Sequence, residues 1–372
     1  MVPFKAYFNY AGLAPTTERI KQQMCRAQQE FDRVLFSEAG VEGYFQLLRD
    51  CREAADKMLG EPGISGISLM PNASFALSIA FRILQTVPEK VILTSDQEHP
   101  AVEAPLGLLS RRGLDVRKIS AETSSEFAER VEAMVKRSAV GLIVLSHVSY
   151  KDGRILPVER VGEIASRARI PYLVDGSQAV GHITVDIRSI QPSIYVFSGH
   201  KWLFGPMGTG VLWVASSIAG VNEELGYSWA ARSGGEDSGG KLEAGTMNLA
   251  LISGLLEAMR EATKQLEQRF HTLTRLRVEI DRRLSVLPFV SRVLSRSAWT
   301  GPYAPGILTY CLPDHIPSWH FAESLFNRSH VVVKPFKPPE RPNAIRISFA
   351  PWTSSDETES LIQALAAELG HV

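Results

Sequence analysis

Between residues 91 and 214 the chain alternates short, β-rich apolar runs with helical stretches, and this alternation limits the fold more than any other feature. The runs cover residues 91–94, 116–119, 140–146, 171–175, 194–198 and 210–214, with helical stretches from about 100, over 125–137 and over 158–168. Short apolar runs separated by helices predict a mostly parallel sheet covered on both faces. In such sheets ligands sit beyond the carboxyl ends of the strands. His99 follows the first run, residues 146–150 close the third, Asp175 ends the fourth, and Ser198 to Lys201 follow the fifth. Four polar clusters at four strand ends predict one site.

Within that pattern, Val196-Phe197-Ser198-Gly199-His200-Lys201-Trp202 sets a lysine just after a strand, with a glycine-rich turn behind it. Asp175 lies 26 residues (201 − 175) upstream. A lysine becomes a nucleophile when burial or nearby positive charge lowers its pKa. Lys201 is therefore read as an amine that holds a carbonyl cofactor, and Asp175 as that cofactor's counter-charge. A carboxylate at the tip of a buried strand is costly without a cationic partner, and a protonated pyridine nitrogen would be one. Gly205, Gly208 and Gly210 do not form a dinucleotide fingerprint, because they precede a strand rather than open a helix.

Two further features have both a plain and a functional reading. The turn Pro71-Asn72-Ala73-Ser74 opens a helix, and a helix N-terminus suits a phosphate, although most such starts are only caps. His99 reads either as a helix cap or as a flat ring stacked on a cofactor.

Forty basic residues balance forty acidic ones, which gives no support to a nucleic-acid or anionic-membrane partner. No apolar run approaches the length of a bilayer span, and the first residues lack the regions of a signal peptide, so a cytoplasmic protein is expected. Cys25, Cys51 and Cys311 are scattered with no CxxC pair, so neither a metal site nor a disulfide framework is expected. Helices are expected over about 15–36 and 46–59. A long helix over about 251–287 leads to a smaller unit, with strands near 306–310, 331–334 and 344–348 and helices near 319–327 and 355–369. This predicts an N-terminal arm (1–14), a large domain (15–255) and a small C-terminal domain (256–372).

Together Ser198-Gly199-His200-Lys201, Asp175-Gly176-Ser177-Gln178, Glu98-His99-Pro100-Ala101 and Ser146-His147-Val148-Ser149 resemble the class V aminotransferase family of pyridoxal-phosphate enzymes. That family includes cysteine desulfurases, C–S lyases and isopenicillin N epimerase-like proteins. Tyr7-Phe8-Asn9-Tyr10-Ala11-Gly12 resembles the start of the C–S lyase and epimerase-like members. The resemblance implies an α/β architecture of fold type I, with a mostly parallel sheet covered by helices and a small α+β C-terminal domain. It implies pyridoxal 5′-phosphate as cofactor. Lys201, Asp175 and His99 are then catalytic: Lys201 joins the cofactor, Asp175 pairs with its pyridine nitrogen, and His99 stacks on its ring. Gln178 is expected at the ring oxygen, and Ala73, Ser74, Ser198 and His200 at the phosphate. Thr246 matches the segment that reaches the partner subunit's phosphate, which implies a homodimer with shared sites. Arg346 matches the arginine that grips the substrate α-carboxylate, and Asn9, Tyr150 and Arg232 complete the substrate set. Arg232 is a candidate for a distal carboxylate, against the commoner reading of a solvated arginine.

Two departures from the family pattern bear on the reaction. Tyr150 stands where many desulfurases have an asparagine near the ring oxygen. Desulfurases also carry a nucleophilic cysteine shortly before the C-terminal arginine, and residues 327–346 contain none. The reading is therefore a lyase that cleaves a C–S bond of a cysteine-derived amino acid by α,β-elimination. The alternatives are an epimerase, with Tyr150 or His147 as second acid/base, an aminotransferase, or a non-catalytic binding or regulatory protein.

Overall fold

A computed structural model of the chain describes residues 4–34, 37–84, 91–218, 240–286, 299–312, 314–336 and 343–370. Seven strands form the main sheet: β2 (Ile67–Met70), β3 (Val91–Ser95), β4 (Val116–Ile119), β5 (Val140–Ser146), β6 (Tyr172–Asp175), β7 (Ile194–Ser198) and β8 (Gly210–Val214). Their order is β2-β8-β7-β6-β5-β3-β4, and only β8 runs antiparallel to its neighbours. The reversal has a local cause. A parallel return needs a crossover of a dozen or more residues, usually a helix, whereas the turn between β7 and β8 contains none.

Both faces of this sheet are buried, as the unbroken apolar runs require. Side chains alternate along each strand: Ile143 and Leu145 point into one apolar cluster, Leu142 and Val144 into another on the opposite face. The helices that cover the sheet include α3 (Ala73–Ile83), α4 (Pro100–Arg111), α5 (Ser124–Arg137) and α6 (Val158–Ala168); α1 (Glu18–Asp32), α2 (Glu38–Met58) and the short α7 (Ile187–Ile190) complete this part. The second helix starts earlier than its periodicity predicts, because Ser37 caps it: the Ser37 hydroxyl accepts from Gly40 N–H.

Helix α8 (Leu249–Ser285) ties this layer to a second one. Its first turns pack Ile252, Leu255 and Met259 on the main core; its last turns pack Leu273, Ile280 and Leu284 on another. That second core lies under an antiparallel sheet of order β11-β12-β9, formed by β9 (Ile307–Cys311), β11 (Lys334–Phe336) and β12 (Ala344–Ser348). Helices α9 (Ser318–Ser329) and α10 (Ser355–Gly370) pack on it. The N-terminal arm belongs to this layer too: β1 (Ala6–Tyr7) pairs in parallel with β10 (Val331–Val332), and Phe8 is fully buried in the second core.

Two polar fastenings hold the layers in register, and a third braces the main layer itself. His182 stacks on Trp202 with ring centroids 3.6 Å apart, while its Nε2 accepts from Gly306 N–H at the entrance to β9. The Gln178 amide donates to Ala11 O in the arm and accepts from Trp202 Nε1. Behind the main sheet, Arg52 of α2 forms a buried two-point ion pair with Glu243, whose Oε1 also accepts from Leu69 N–H of β2. Among the described residues no helix is long and apolar enough to cross a membrane.

Breaking a buried ion pair from one side leaves the other charge uncompensated. Arg52→Leu is therefore expected to lower the unfolding free energy by about 3–5 kcal/mol, measurable as a fall in the urea midpoint with little change in slope.

Candidate active site

Lys201 follows β7 in a tight turn, closed by Phe204 N–H to Lys201 O at 3.0 Å and Gly205 N–H to Gly199 O at 2.9 Å. Phe204 accepts a left-handed backbone there (φ 57°). Behind the turn, Gly210 has no room for a side chain: a Cβ would lie 2.9 Å from the backbone of both Asn72 and Phe197. The lysine turn thus presses against the start of α3, where Ser198 Oγ accepts from Ala73 N–H at 3.3 Å.

The Lys201 side chain is buried, and burial lowers its pKa; Asp175 opposes that shift and Arg346 adds to it. The lysine is thereby biased toward the neutral, nucleophilic amine. Asp175 ends β6, opposite Ser146 of β5 and Val196 of β7. It is buried, and its Oδ1 accepts from Ser177 N–H at 2.9 Å.

In front of Lys201 lies a cavity of about 440 Å³. His99, Tyr150 and Gln178 wall it from the main sheet, Asn9, Ala11 and Gly12 from the arm, and Arg346 from β12. The plain reading of His99 is seen directly, since its Nδ1 caps α4 by accepting from Ala101 N–H, while its ring lines the cavity edge-on to Tyr150. Gln178 faces the cavity with its amide already engaged by Ala11 and Trp202, which leaves one N–H of its amide for a ring oxygen.

Arg346 is 2% exposed, and burial lowers its pKa to about 10. Its Nη1 donates to Tyr150 O at 2.6 Å and its Nη2 to Asn9 Oδ1 at 2.9 Å; its Nε has no hydrogen-bond partner. Among the described residues no carboxylate pairs with it. Asn9, expected at the substrate, thus also aligns the guanidinium. A Cβ at Gly12 would lie 2.6 Å from that same Asn9 oxygen, so only glycine leaves Asn9 in place.

The remaining predicted residues fall into two groups. Ala73, Ser198 and His200 lie on the α3 start and the lysine turn, and Ser74 is exposed in the first turn of α3. His200 Nδ1 is buried without a partner, and burial, with Lys201 beside it, lowers its pKa to about 4. Thr246 is exposed and follows Gly245, which has φ 69°. Arg232 lies outside the described residues. His147, the candidate second acid/base, does not line the cavity: it is fully buried, its Nδ1 is bonded to Tyr195 OH at 2.9 Å, and burial lowers its pKa to about 4. Among the three cysteines, Cys311 only backs the Tyr150–Phe336 wall, Cys51 is buried and Cys25 lies on the surface.

Sequence reasoning passed over Glu98 and the far wall of the cavity. Glu98 is fully buried behind His99 and accepts from Ser95 Oγ, Ser146 N–H and Ser146 Oγ. Burial raises its pKa to about 7 against those bonds, with Asp175 adding to the rise. A carboxyl residue beside a histidine at a strand end was the available signal. The far wall, formed by Trp319, Lys334, Pro335 and Phe336, has no such signal, because only the pairing of β11 with β12 and the packing of α9 beside it bring it to the site.

The residues fit pyridoxal phosphate on their own chemistry. A buried amine, a buried carboxylate behind it, a helix N-terminus and an unpartnered imidazole nitrogen are the groups such a cofactor needs. Residues 14–298 match the model of the aminotransferase class-V family. The chain belongs to the class-V aminotransferase family. The cofactor of that family is pyridoxal 5′-phosphate, and its members include PLP-dependent enzymes of several reaction types.

A probable cysteine desulfurase of Methanothermobacter thermautotrophicus is 31% identical over 262 residues, 67% of this chain and 64% of that protein. The chain spans two thirds or less of the length of the curated relatives it matches. Among solved structures, the cystine C–S lyase C-DES in complex with its product cysteine persulfide superposes with a TM-score of 0.79 at 20% identity, over 97% of both chains. A variant of C-DES with glycine covalently linked to the PLP cofactor gives 0.81 at 21% identity, over 97% of this chain and 96% of that one. At these identities the likeness is one of fold.

Glu98 gives a pH-dependent prediction. Its folded pKa lies above the unfolded value, so its contribution to stability is complete below about 4.5 and is lost as pH rises through about 7. Between about pH 5 and pH 8, Glu98→Gln should therefore lose about 2 kcal/mol less stability than the parent chain in urea unfolding.

Proposed function

We propose that the chain is a PLP-dependent lyase that cleaves the C–S bond of a cysteine-derived amino acid by α,β-elimination. The observation that carries this reading is the lack of a sulfur acceptor. None of the three cysteines lines the cavity that holds Lys201 and Arg346. A desulfurase must pass sulfur to an enzyme thiol, whereas elimination needs no second nucleophile. The fold neighbour C-DES, a cystine C–S lyase, supports the same direction.

When bound, pyridoxal phosphate supplies an electron sink for negative charge at the substrate Cα. Arg346 binds the substrate α-carboxylate with the fork that Asn9 and Tyr150 O hold in place. Lys201 Nζ, favoured as a free amine by burial, takes the Cα proton. The electron pair left at Cα forms the Cα–Cβ double bond as the β-sulfur departs with the C–S pair. Aminoacrylate hydrolyses to pyruvate and ammonia. His99 and Tyr150 wall the reacting centre.

The active form is proposed to be a homodimer with shared sites, in which exposed Thr246 reaches the partner's phosphate group, and its place the cytoplasm. An epimerase lacks support from His147, which is sealed against Tyr195.

Incubation with cystine and S-substituted cysteines should release pyruvate, and Lys201→Ala should abolish it. Solvent deuterium entering Cα without loss of substrate would instead favour racemisation. Arg346→Ala should raise KM on the order of 100-fold, with a smaller effect on kcat, because it removes a charged hydrogen-bonding partner of the bound carboxylate.

A further inference from the structure

One seam joins two of the strand ends that build the site. The turn 97–99 follows β3, the segment 146–150 closes β5, and the two meet at three successive places. Ser149 Oγ donates to Gln97 Oε1 at 3.1 Å. Ser146 donates to Glu98 through its N–H at 3.1 Å and through its hydroxyl at 2.7 Å. The His99 ring meets the Tyr150 ring edge-on, with centroids 4.9 Å apart. Glu98, at the centre of this seam, also accepts from Ser95 Oγ of β3. The seam bears on both sides of the cavity, since His99 lines it and the carbonyl of Tyr150 accepts from Arg346.

Glu98 also lies near Asp175. Ser146 stands directly opposite Asp175 of β6, one strand spacing or about 4.8 Å away. The next residue, His147, donates its N–H to Asp175 O at 2.9 Å. Among the described residues no lysine or arginine pairs with Glu98. The titratable groups that act on it are Asp175 and Tyr172, both of β6. Burial keeps Tyr172 protonated and His147, beside Ser146, neutral. Burial also keeps Glu98 protonated up to about pH 7. Above that pH the site gains a negative charge beside Asp175.

Resting on the reading of Lys201 and Asp175 as groups that hold the cofactor, we propose that Glu98 is a positioning residue of this site. It fastens His99 and Tyr150 to each other across the two strand ends, and its carboxyl group adds charge beside Asp175. A nearby negative charge favours protonated, cationic forms. The cofactor site therefore keeps its proton to higher pH than Asp175 alone would allow. Glu98 does not line the cavity and acts through its neighbours.

The test titrates the absorbance of the bound cofactor with pH in the holoenzyme, where the change marks loss of a proton from a cationic group. Glu98→Gln removes the ionisable carboxyl and should lower the midpoint by about half a pH unit or more. Ser146→Ala deletes a donor to Glu98, holds that carboxyl neutral to higher pH and should move the midpoint the same way. This second variant keeps the measurement decisive if Glu98→Gln fails to fold. Induced circular dichroism of the bound cofactor reads the fastening. Glu98→Ala should lose most of that signal and Glu98→Gln should keep it, a difference that a general loss of stability would not produce. A midpoint unchanged or raised in either folded variant, or a Glu98→Ala signal equal to the parent's, would overturn the role. Pyruvate is assayed separately. The shifts without pyruvate from any S-substituted cysteine would remove the elimination reading and leave Glu98 as a positioning residue. Pyruvate without the shifts would do the reverse.

Discussion

Arg346 is a guanidinium buried at the junction of three segments and hydrogen-bonded to two neutral oxygens. Burying a charge without an opposite one costs several kcal/mol. The structure meets that cost with Tyr150 O from the end of β5 and Asn9 Oδ1 from the arm, and the face of Phe336 lies alongside. Each of those partners is itself fixed. Asn9 bridges to Ser348, and Gly12 leaves space for its side chain. Arm, main sheet and small sheet are thus all aligned about one cation.

A second buried group lies across the cavity. Lys201 is driven toward its neutral form by desolvation, with Asp175 close enough to oppose the shift. Glu98, one residue before His99, is pulled the other way, toward a neutral carboxyl. His200 and His147 are both held neutral by burial. The region behind the cavity therefore keeps most of its titratable groups uncharged. Asp175 lies in this same buried region, where low dielectric strengthens any charge pairing made there.

Much of this was readable from residue order. Unbroken apolar runs required a sheet buried on both faces, and the polar residues at their ends had to converge. The lysine turn stood out because a lysine immediately after a buried strand has few structural uses. Other parts were hidden for identifiable reasons. The reversal of β8 depends on the absence of a crossover helix rather than on the strand's own residues. The early start of α2 rests on one Ser37 hydroxyl. His99 gave two readings that the structure makes compatible, since one ring nitrogen caps a helix while the ring lines the cavity. His147 looked like an available base until Tyr195 was found on its nitrogen.

Local chemistry and period by themselves singled out the sheet, the lysine and its aspartate, because strand periodicity and the scarcity of buried charge act along the chain, whereas the arginine stood out only through the family resemblance. Which residues meet them was decided by tertiary structure alone. Lys334 and Trp319 join the cavity only because β11 pairs with β12 in one register and α9 packs alongside. Asn9 reaches Arg346 across 337 positions only because β1 pairs with β10. Register and layer packing are properties of distant contacts. A change of one residue in the β11–β12 pairing would place Lys334 on the opposite face of the sheet, with no change in the sequence of either strand.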